Sequence, residues 1–406
     1  MKKNVLILFI FITTSCFAQF SKTHYIPPLT GQNNIVNDHY LYISTPNLNN
    51  VNFKIIENGG AIISGKVSNS TPYIYSIGSG INTQLFIPKN TSGKINNKGY
   101  VIEAEDLVYV SVRTNAGNGA HAGGLVSKGN SALGKLFRLG GMLNPNVDSN
   151  VLNFASILAT ENNTKVTLSN FPVGTQFSDG TTYTVPIEIT LNKNESYLVA
   201  LENYSGNNTP SNCSKMLGAL VESDKAVAVN SGSFGGSNSN NTNGRDVGFD
   251  QIVSFEKTGN EYIFVKGIGT DDLERILLIA QMPNTQIFLN GNTTPYSVLL
   301  NPSDYVVIDG SQFINGNLYA KTSENVFAYQ SIGGSNVPAN QNLFFVPPIN
   351  CATPNSVDNI PQIELVGSKL FVGGLNIVTE TGAIVKINGV TATSAIAITG
   401  NPGFER

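Results

Sequence analysis

The stretch "VESDKAVAVNSGSFGG", Val221–Gly236, decides the fold, because the chain writes it three times. "AEDLVYVSVRTNAG" stands upstream at Ala104–Gly117, and "TSENVFAYQSIGG" downstream at Thr322–Gly334. Each copy reads as an acidic turn, an apolar strand, and then small polar residues with glycine. Val108, Val227 and Val326 hold the same place in the three copies, so a repeated fold puts them in equivalent β positions.

Outward from this phrase, other elements recur in the same order. "LGKLFRLGG", "TGNEYIFVKG" and "VGSKLFVGG" are aromatic strands bounded by glycine. "HYLYIST", "NFASILAT", "RILLIAQM" and "GLNIVTE" each lead through a polar turn into a second strand. The paired versions are "ATENNTKVTL", "AQMPNTQIFLNG" and "TETGAIVKINGV". The apolar blocks are short, alternate with polar residues and favour Ile, Val, Tyr, Phe and Thr, the pattern of half-buried strands. "DDLERILLIAQM" (Asp271–Met282) invites a helix, yet Ile276–Ala280 is one continuous apolar block closed by Pro283. It reads as a strand after a turn.

The expected fold is therefore all-β, built from tandem antiparallel β-sandwich-like repeats of roughly 100–120 residues. A β-propeller with large blades is the competing arrangement. The repeats divide as residues 19–117, 118–236, 237–338 and an incomplete fourth at 339–406, which implies a fragment of a longer protein.

The chain has 406 residues, of which 41% are hydrophobic and only 13% charged, so it can build packed cores. A net charge of -3 without a basic cluster excludes a nucleic-acid partner. "MKKNVLILFIFITTSCFAQ" has two lysines, a short apolar run and small residues at a cleavage site. Residues 1–18 thus read as a signal peptide and the remainder as exported, secreted or held at the outer cell surface. A lipidated Cys16 is the rival reading, but Thr13-Thr14-Ser15 lacks the usual leucine. No later segment reaches the roughly 20 apolar residues of a membrane helix.

Cys213 and Cys351 remain after the signal and are candidates for a disulfide. His24, His39 and His121 have no zinc-like spacing to cysteine, so neither metal nor cofactor is expected. His24 and His39 lie near the mature N-terminus and read as surface residues. No Gly-x-Ser-x-Gly elbow or imidazole-based triad stands out, and the expectation is a non-enzyme. The acidic groups Glu103-Glu105-Asp106, Asp271-Asp272-Glu274 and Asp246…Asp250 are read as turn or capping acids. The last two could hold calcium.

Two stretches read as long Gly-, Ser- and Asn-rich loops after the repeated strand: Asn115–Gly134 and Gly232–Asp250. Loops of this length are usually functional or mobile. Their matching positions put them at one end of the array as the contact region. The candidate ligand-binding residues are His121, Asn240, Arg245 and Asp246, with Tyr204 in "ENYSGNNTPSNC" as an exposed aromatic.

The phrase around Ser223–Val229, with "ATENNTKVTL" and "FVPPINC…VDNIP" (Phe345–Pro361), resembles the N-terminal domain of IgG-Fc-binding protein. The likeness runs from about Thr23 to Arg406. That family is shared between animal mucus proteins and surface proteins of gliding bacteria, and "FSKTHYIPPL" resembles the bacterial branch. The resemblance implies a surface adhesion or recognition module with a glycoprotein, mucin or cell-surface ligand. It also implies a C-terminal sorting domain for type IX secretion and gliding motility. A structural spacer is the alternative, with a secreted hydrolase or glycan-binding module behind it. The family carries no defining catalytic residues.

Overall fold

A computed structural model describes residues 20–31, 36–117, 121–145, 151–202, 212–238, 246–333, 342–349, 356–357, 360–367, 369–370 and 374–406. The first third of the chain contains β1 (Ser21–Ile26), β2 (Leu29–Gly31), β3 (Val36–Ser44), β4 (Val51–Glu57), β5 (Ile62–Val67) and β6 (Tyr73–Gly78). It continues with β7 (Phe86–Pro88), β8 (Gly93–Ile95), β9 (Tyr100–Ala116) and β10 (His121–Ser127). The middle holds β11 (Gly134–Arg138), β12 (Leu152–Ala159), β13 (Thr164–Ser169), β14 (Ile187–Leu191), β15 (Ser196–Glu202), β16 (Leu220–Gly236) and β17 (Asp246–Ile252). A third set follows: β18 (Gly259–Val265), β19 (Arg275–Ala280), β20 (Thr285–Leu289), β21 (Ser297–Leu299), β22 (Tyr305–Ile308), β23 (Asn317–Ile332) and β24 (Asn342–Phe345). The chain is all-β, and Asp271–Met282 contributes β19 rather than a helix.

Three large antiparallel sheets result, each organised by one long strand. β9, β16 and β23 are 17, 17 and 16 residues long and serve as hubs. The first half of each hub lies between two strands: β1 and β4, β11 and β13, or β18 and β20. The second half lies between β3 and β10, β12 and β17, or β19 and β24.

The two halves meet at a bulge. Ser21 faces Val108 while Thr23 faces Glu103, so five steps on the hub match two on its neighbour. The same shift separates Val227 from Glu222 opposite β11, and Val326 from Lys321 opposite β18. Val108, Val227 and Val326 are all fully buried just beyond it. The acidic phrase expected to be a turn is thus a bulge inside a continuous strand, which bends and twists it. Its polar side chains satisfy neighbouring strands: Asp224 accepts from the Lys165 N–H (2.8 Å), and Ser323 from the Gln286 N–H (2.9 Å). Thr45 and Thr160 donate to the carbonyls just before the buried valines, Leu107 and Ala226, both at 2.7 Å.

Packing explains how both expected architectures left their mark. In the third set, Tyr262, Phe264, Ile287 and Leu289 of the first half-sheet pack against Ile276, Leu278 and Ala328 of the second, as in a sandwich. Between sets, the second half-sheets stack as blades do. Phe154, Leu198 and Phe234 enter the core of the first set beside Leu41, Ile43 and Val110. Leu277, Ile279, Phe327 and Tyr329 enter the core of the second in the same way. Each buried apolar side chain contributes about 1.5–3 kcal/mol, so neighbouring sets stabilise one another. Arg138 spans the second junction, donating to Gln281 of the third set (2.7 Å), Asn170 (2.8 Å) and the Gly218 carbonyl (3.0 Å). β8 extends the second sheet by pairing with β15.

Sheet membership places His121–Ser127, Asp246–Ile252 and Asn342–Phe345 with the hub that precedes each of them. Strand therefore takes up about half of each stretch expected to be a long loop. Their glycines permit close packing: a Cβ on Gly123 would lie 2.4 Å from the Val247 carbonyl oxygen, and one on Gly248 2.7 Å from the Leu343 nitrogen. After Phe345 the strands among the described residues are two residues long: β25 (Leu365–Val366), β26 (Lys369–Leu370), β27 (Thr379–Glu380), β28 (Lys386–Ile387), β29 (Val390–Thr391) and β30 (Phe404–Glu405). Arg113, stacked 4.1 Å above Tyr42, ties this segment to the first set through the carbonyls of Pro361, Gln362 and Leu365. Among the described residues no helix is long and apolar enough to cross a membrane.

His24 and His39, expected at the surface, are completely buried. The β1 and β3 registers carry both rings inward, and His39 stacks on Phe86. Desolvation lowers each pKa from 6.5 to about 4. In the folded chain the rings stay neutral through this range, while in the unfolded chain they protonate below pH 6.5. Their contribution is therefore intact above pH 6.5 and lost between pH 6.5 and 4, by about 1.4 kcal/mol per pH unit per histidine. Urea unfolding at pH 7, 5.5 and 4.5 should show this loss, and His39→Leu should remove roughly one histidine's share of the slope.

Candidate functional site

β10, β17 and β24 run side by side in the same direction. Asp246, at the start of β17, accepts from the Ala122 N–H near the start of β10. Four residues on, and hence on the same face of β17, Asp250 accepts from the Val126 N–H of β10 (3.2 Å) and from the Phe345 N–H of β24 (3.0 Å). Three strands from three sheets are thus joined through carboxylates, without a shared backbone ladder. Because each strand follows its hub in a hairpin, the connections after Ala116, Gly236 and Ile332 leave from one end of the molecule.

Each connection is anchored at its base by a polar side chain from elsewhere in its set. Asn115 donates to Asp38 (2.9 Å) beside the first. At the second, Asn144 accepts from the Ser237 N–H (2.8 Å) and Asn238 from the Leu143 N–H (2.9 Å). At the third, the fully buried Glu274 accepts from the N–H groups of Gly333 (3.2 Å), Gly267 (3.0 Å) and Gly269 (2.9 Å). A carboxylate held by several backbone donors forms strong, charge-assisted bonds. Beneath the second connection, buried Asn153 bonds Asn144 (3.1 Å), the Met142 carbonyl (2.9 Å) and the Cys213 carbonyl (3.0 Å).

Of the residues singled out from sequence, His121 opens β10 at this end and is half-buried. Asp246 is buried, so its carboxylate positions hairpins instead of facing solvent. Asn240, Arg245 and Tyr204 lie outside the described residues. The segment carrying Tyr204 nevertheless starts after Glu202, which faces Leu152, and Leu152 in turn faces Phe234 near the hub's end. β15 therefore ends at the same end as the hubs. Cys213 is buried, its thiol donates to the Leu201 carbonyl (3.0 Å), and desolvation pushes its pKa up to about 12. Cys351 also lies outside the described residues.

The chemistry of the remaining groups is structural. His24 and Ser127 sit 3.0 Å apart, as a nucleophile and base would, but both are fully buried, and they bond on to the Val108 carbonyl (3.0 Å) and Gln251 (3.1 Å). Asp271 pairs with Lys266, and the oxygens of neighbouring Glu274 are occupied by backbone donors. Lys128 forms a buried ion pair with Asp250 at 2.6 Å and donates to the Gln251 carbonyl. Gln251 reaches on to the Tyr25 carbonyl (2.6 Å). Sequence reasoning noted Asp250 as an acid in a loop and missed its partners, because Lys128 and Phe345 are remote in the chain. The available signal was the four-residue spacing of Asp246 and Asp250 in an alternating strand.

A family model described as IgGFc binding protein matches residues 123–405, well over half of the chain. The match begins within β10, so most of the first sheet precedes it. No curated protein and no solved structure matches the chain.

Asp250→Ala should cost about 3–5 kcal/mol, because it leaves Lys128 charged, buried and unpaired. Lys128→Met combined with Asp250→Leu should recover much of that loss. Urea denaturation of the single and double variants measures both.

Proposed function

This chain belongs to the IgGFc-binding protein family, and from that membership and the geometry above we propose a non-enzymatic protein-binding module whose partner meets the hairpin end. The supporting observation is the convergence of three hairpin bases, each pinned by a buried or half-buried polar anchor, onto one end of a rigid stack. Rigid bases lower the ordering cost of recognition, which is the usual benefit of mounting binding loops on a β scaffold. The contact region consists of the connections between Ala116 and His121, Gly236 and Asp246, and Ile332 and Asn342, together with the segment after Glu202. Within it, His121, Tyr204, Asn240 and Arg245 supply the polar and aromatic contacts, with Asp246 as their support.

The finer reading is an exported protein, cleaved after residue 18, working at the outer cell surface in adhesion. It places the chain in the bacterial branch, with type IX secretion and gliding motility as the context. The ligand is then a glycoprotein, a mucin or another surface protein. The domains are repeats centred on β9, β16 and β23, with boundaries best drawn after β10, β17 and β24. A structural spacer is the second reading, favoured by the way each set fills its neighbour's core.

Immobilised IgG Fc, mucin and intact cells should each be tested for capture of the exported chain. Replacing residues 239–245 and 334–341 by two-residue Asn-Gly turns should weaken capture at least about tenfold, a loss of about 1.4 kcal/mol, with an unchanged melting temperature. Undiminished capture rules out the loops as the contact region, and failure of the intact chain on all three surfaces leaves the spacer.

A further inference from the structure

The second and third sheets enter one strand through the same turn. Asn192-Lys193-Asn194-Glu195 leads into β15, and Asn301-Pro302-Ser303-Asp304 leads into β22. The third residue of each turn is left-handed, Asn194 with φ of 69° and Ser303 with 76°. The acid that follows accepts from the N–H of the asparagine: Glu195 from Asn192 (2.6 Å) and Asp304 from Asn301 (2.9 Å). Its own carbonyl accepts from the alanine that ends the neighbouring strand, Ala159 (3.0 Å) or Ala280 (2.9 Å). The side chains beyond correspond too. Leu198 enters the core of the first set, and Val307 packs against the core of the second.

The two strands differ in what lies beside them. β15 is covered by β8, where Ile95, Lys94 and Gly93 face Ser196, Tyr197 and Leu198. Lys94 Nζ meets the Glu195 carboxylate at 2.6 Å, and Ile95 is buried in the first core. β8 lies upstream of the sheet it covers. β22 ends its sheet, and every described strand upstream of it is paired elsewhere. Across the junction, the N–H groups of Lys215, Leu217, Gly218 and Ala219 bond within the second set and not to β22. Tyr305 is 37% exposed, and among the described residues no cation pairs with Asp304. The first sheet lacks the device, since Thr71 and Pro72 precede β6.

We propose that the free edge of β22 binds a short extended segment of a partner polypeptide, with a lysine seated on Asp304. β8 specifies that segment: an aliphatic residue opposite Tyr305, the lysine opposite Val306, and glycine opposite Val307. A second copy of the chain has its own β8 committed to β15, so the partner is a different polypeptide. Main-chain bonds along the open edge supply affinity, while the lysine–aspartate pair and the side-chain alternation set direction and register. Tyr305 faces Ile279, which faces Phe327 one step beyond Val326 on the hub. The site therefore sits at the bulge end of β23, and the inference is independent of the hairpin end.

The test uses the whole exported chain and a synthetic peptide copying Asn90–Asn97, read by hydrogen exchange. At saturation the peptide should slow exchange at Tyr305–Val307 at least about tenfold and leave Ser196–Leu198 unchanged. A peptide carrying Lys94→Glu should bind at least about tenfold more weakly, because it sets like charges against each other. Asp304→Asn keeps an oxygen acceptor for the Asn301 N–H, so the melting temperature should hold while peptide binding weakens about threefold. If that variant melts early, the two peptides compared on the unaltered chain decide the matter. No slowing at β22, equal slowing by the glutamate peptide, unchanged binding to a stable Asp304→Asn chain, or exchange of the peptide with resident β8 would each overturn the proposal.

Discussion

The organising constraint is the bulge in each hub strand. A 17-residue strand cannot remain straight and still contribute to two packed layers of one small core. The five-against-two step opposite β1, β11 and β18 bends the hub, so one strand serves both half-sheets. The extra residues need polar partners because they leave the ladder, and the side chains of Asp106, Asp224 and Ser323 bind neighbouring groups there. Burial of Val108, Val227 and Val326 immediately after the bulge fixes which face points inward. Polar residues in the bulge and a valine beyond it form one device, repeated three times.

The second level is stacking. A set of this size has two apolar faces on its second half-sheet, and its own first half-sheet covers only one. The other face becomes part of the preceding set's core, as Phe154 and Phe234 do for the first set and Phe327 and Tyr329 for the second. This arrangement explains a composition with little charge and much alternating Val, Ile and Phe. It also explains the glycines of β10 and β17. β10, β17 and β24 approach too closely for side chains at Gly123 and Gly248, and the carboxylates of Asp246 and Asp250 take over the bonding.

The sequence made some of this legible and hid the rest for physical reasons. The hubs were readable because bulge, valine and terminal glycines recur at fixed spacing, and β19 was readable because a continuous apolar block before proline suits a buried strand. The inner strands were hidden because glycine marks both loops and close strand contacts, and composition cannot separate the two. The acidic bulge was taken for a turn because both need residues that satisfy backbone groups locally. His24 and His39 were misplaced because nearness to a terminus says nothing about which face a strand residue occupies. Glu274, Asn153 and Asp250 gained their roles from partners far away in sequence, which no local pattern records.

At the hairpin end, the anchoring groups are kept apart from the connecting segments. The groups that do structural work there, Asp246, Asn144 and Glu274, are buried and have their oxygens committed to backbone donors. A substitution in the connecting residues then leaves the anchors intact, so the tips can vary without unfolding the stack. The opposite holds for Asp250. Its carboxylate serves a lysine and two backbone N–H groups from different sheets, so losing it removes polar contacts to two neighbouring strands at once. The scaffold thus keeps buried ionic and polar groups where strands of different sheets meet, and its connecting segments lie beyond them.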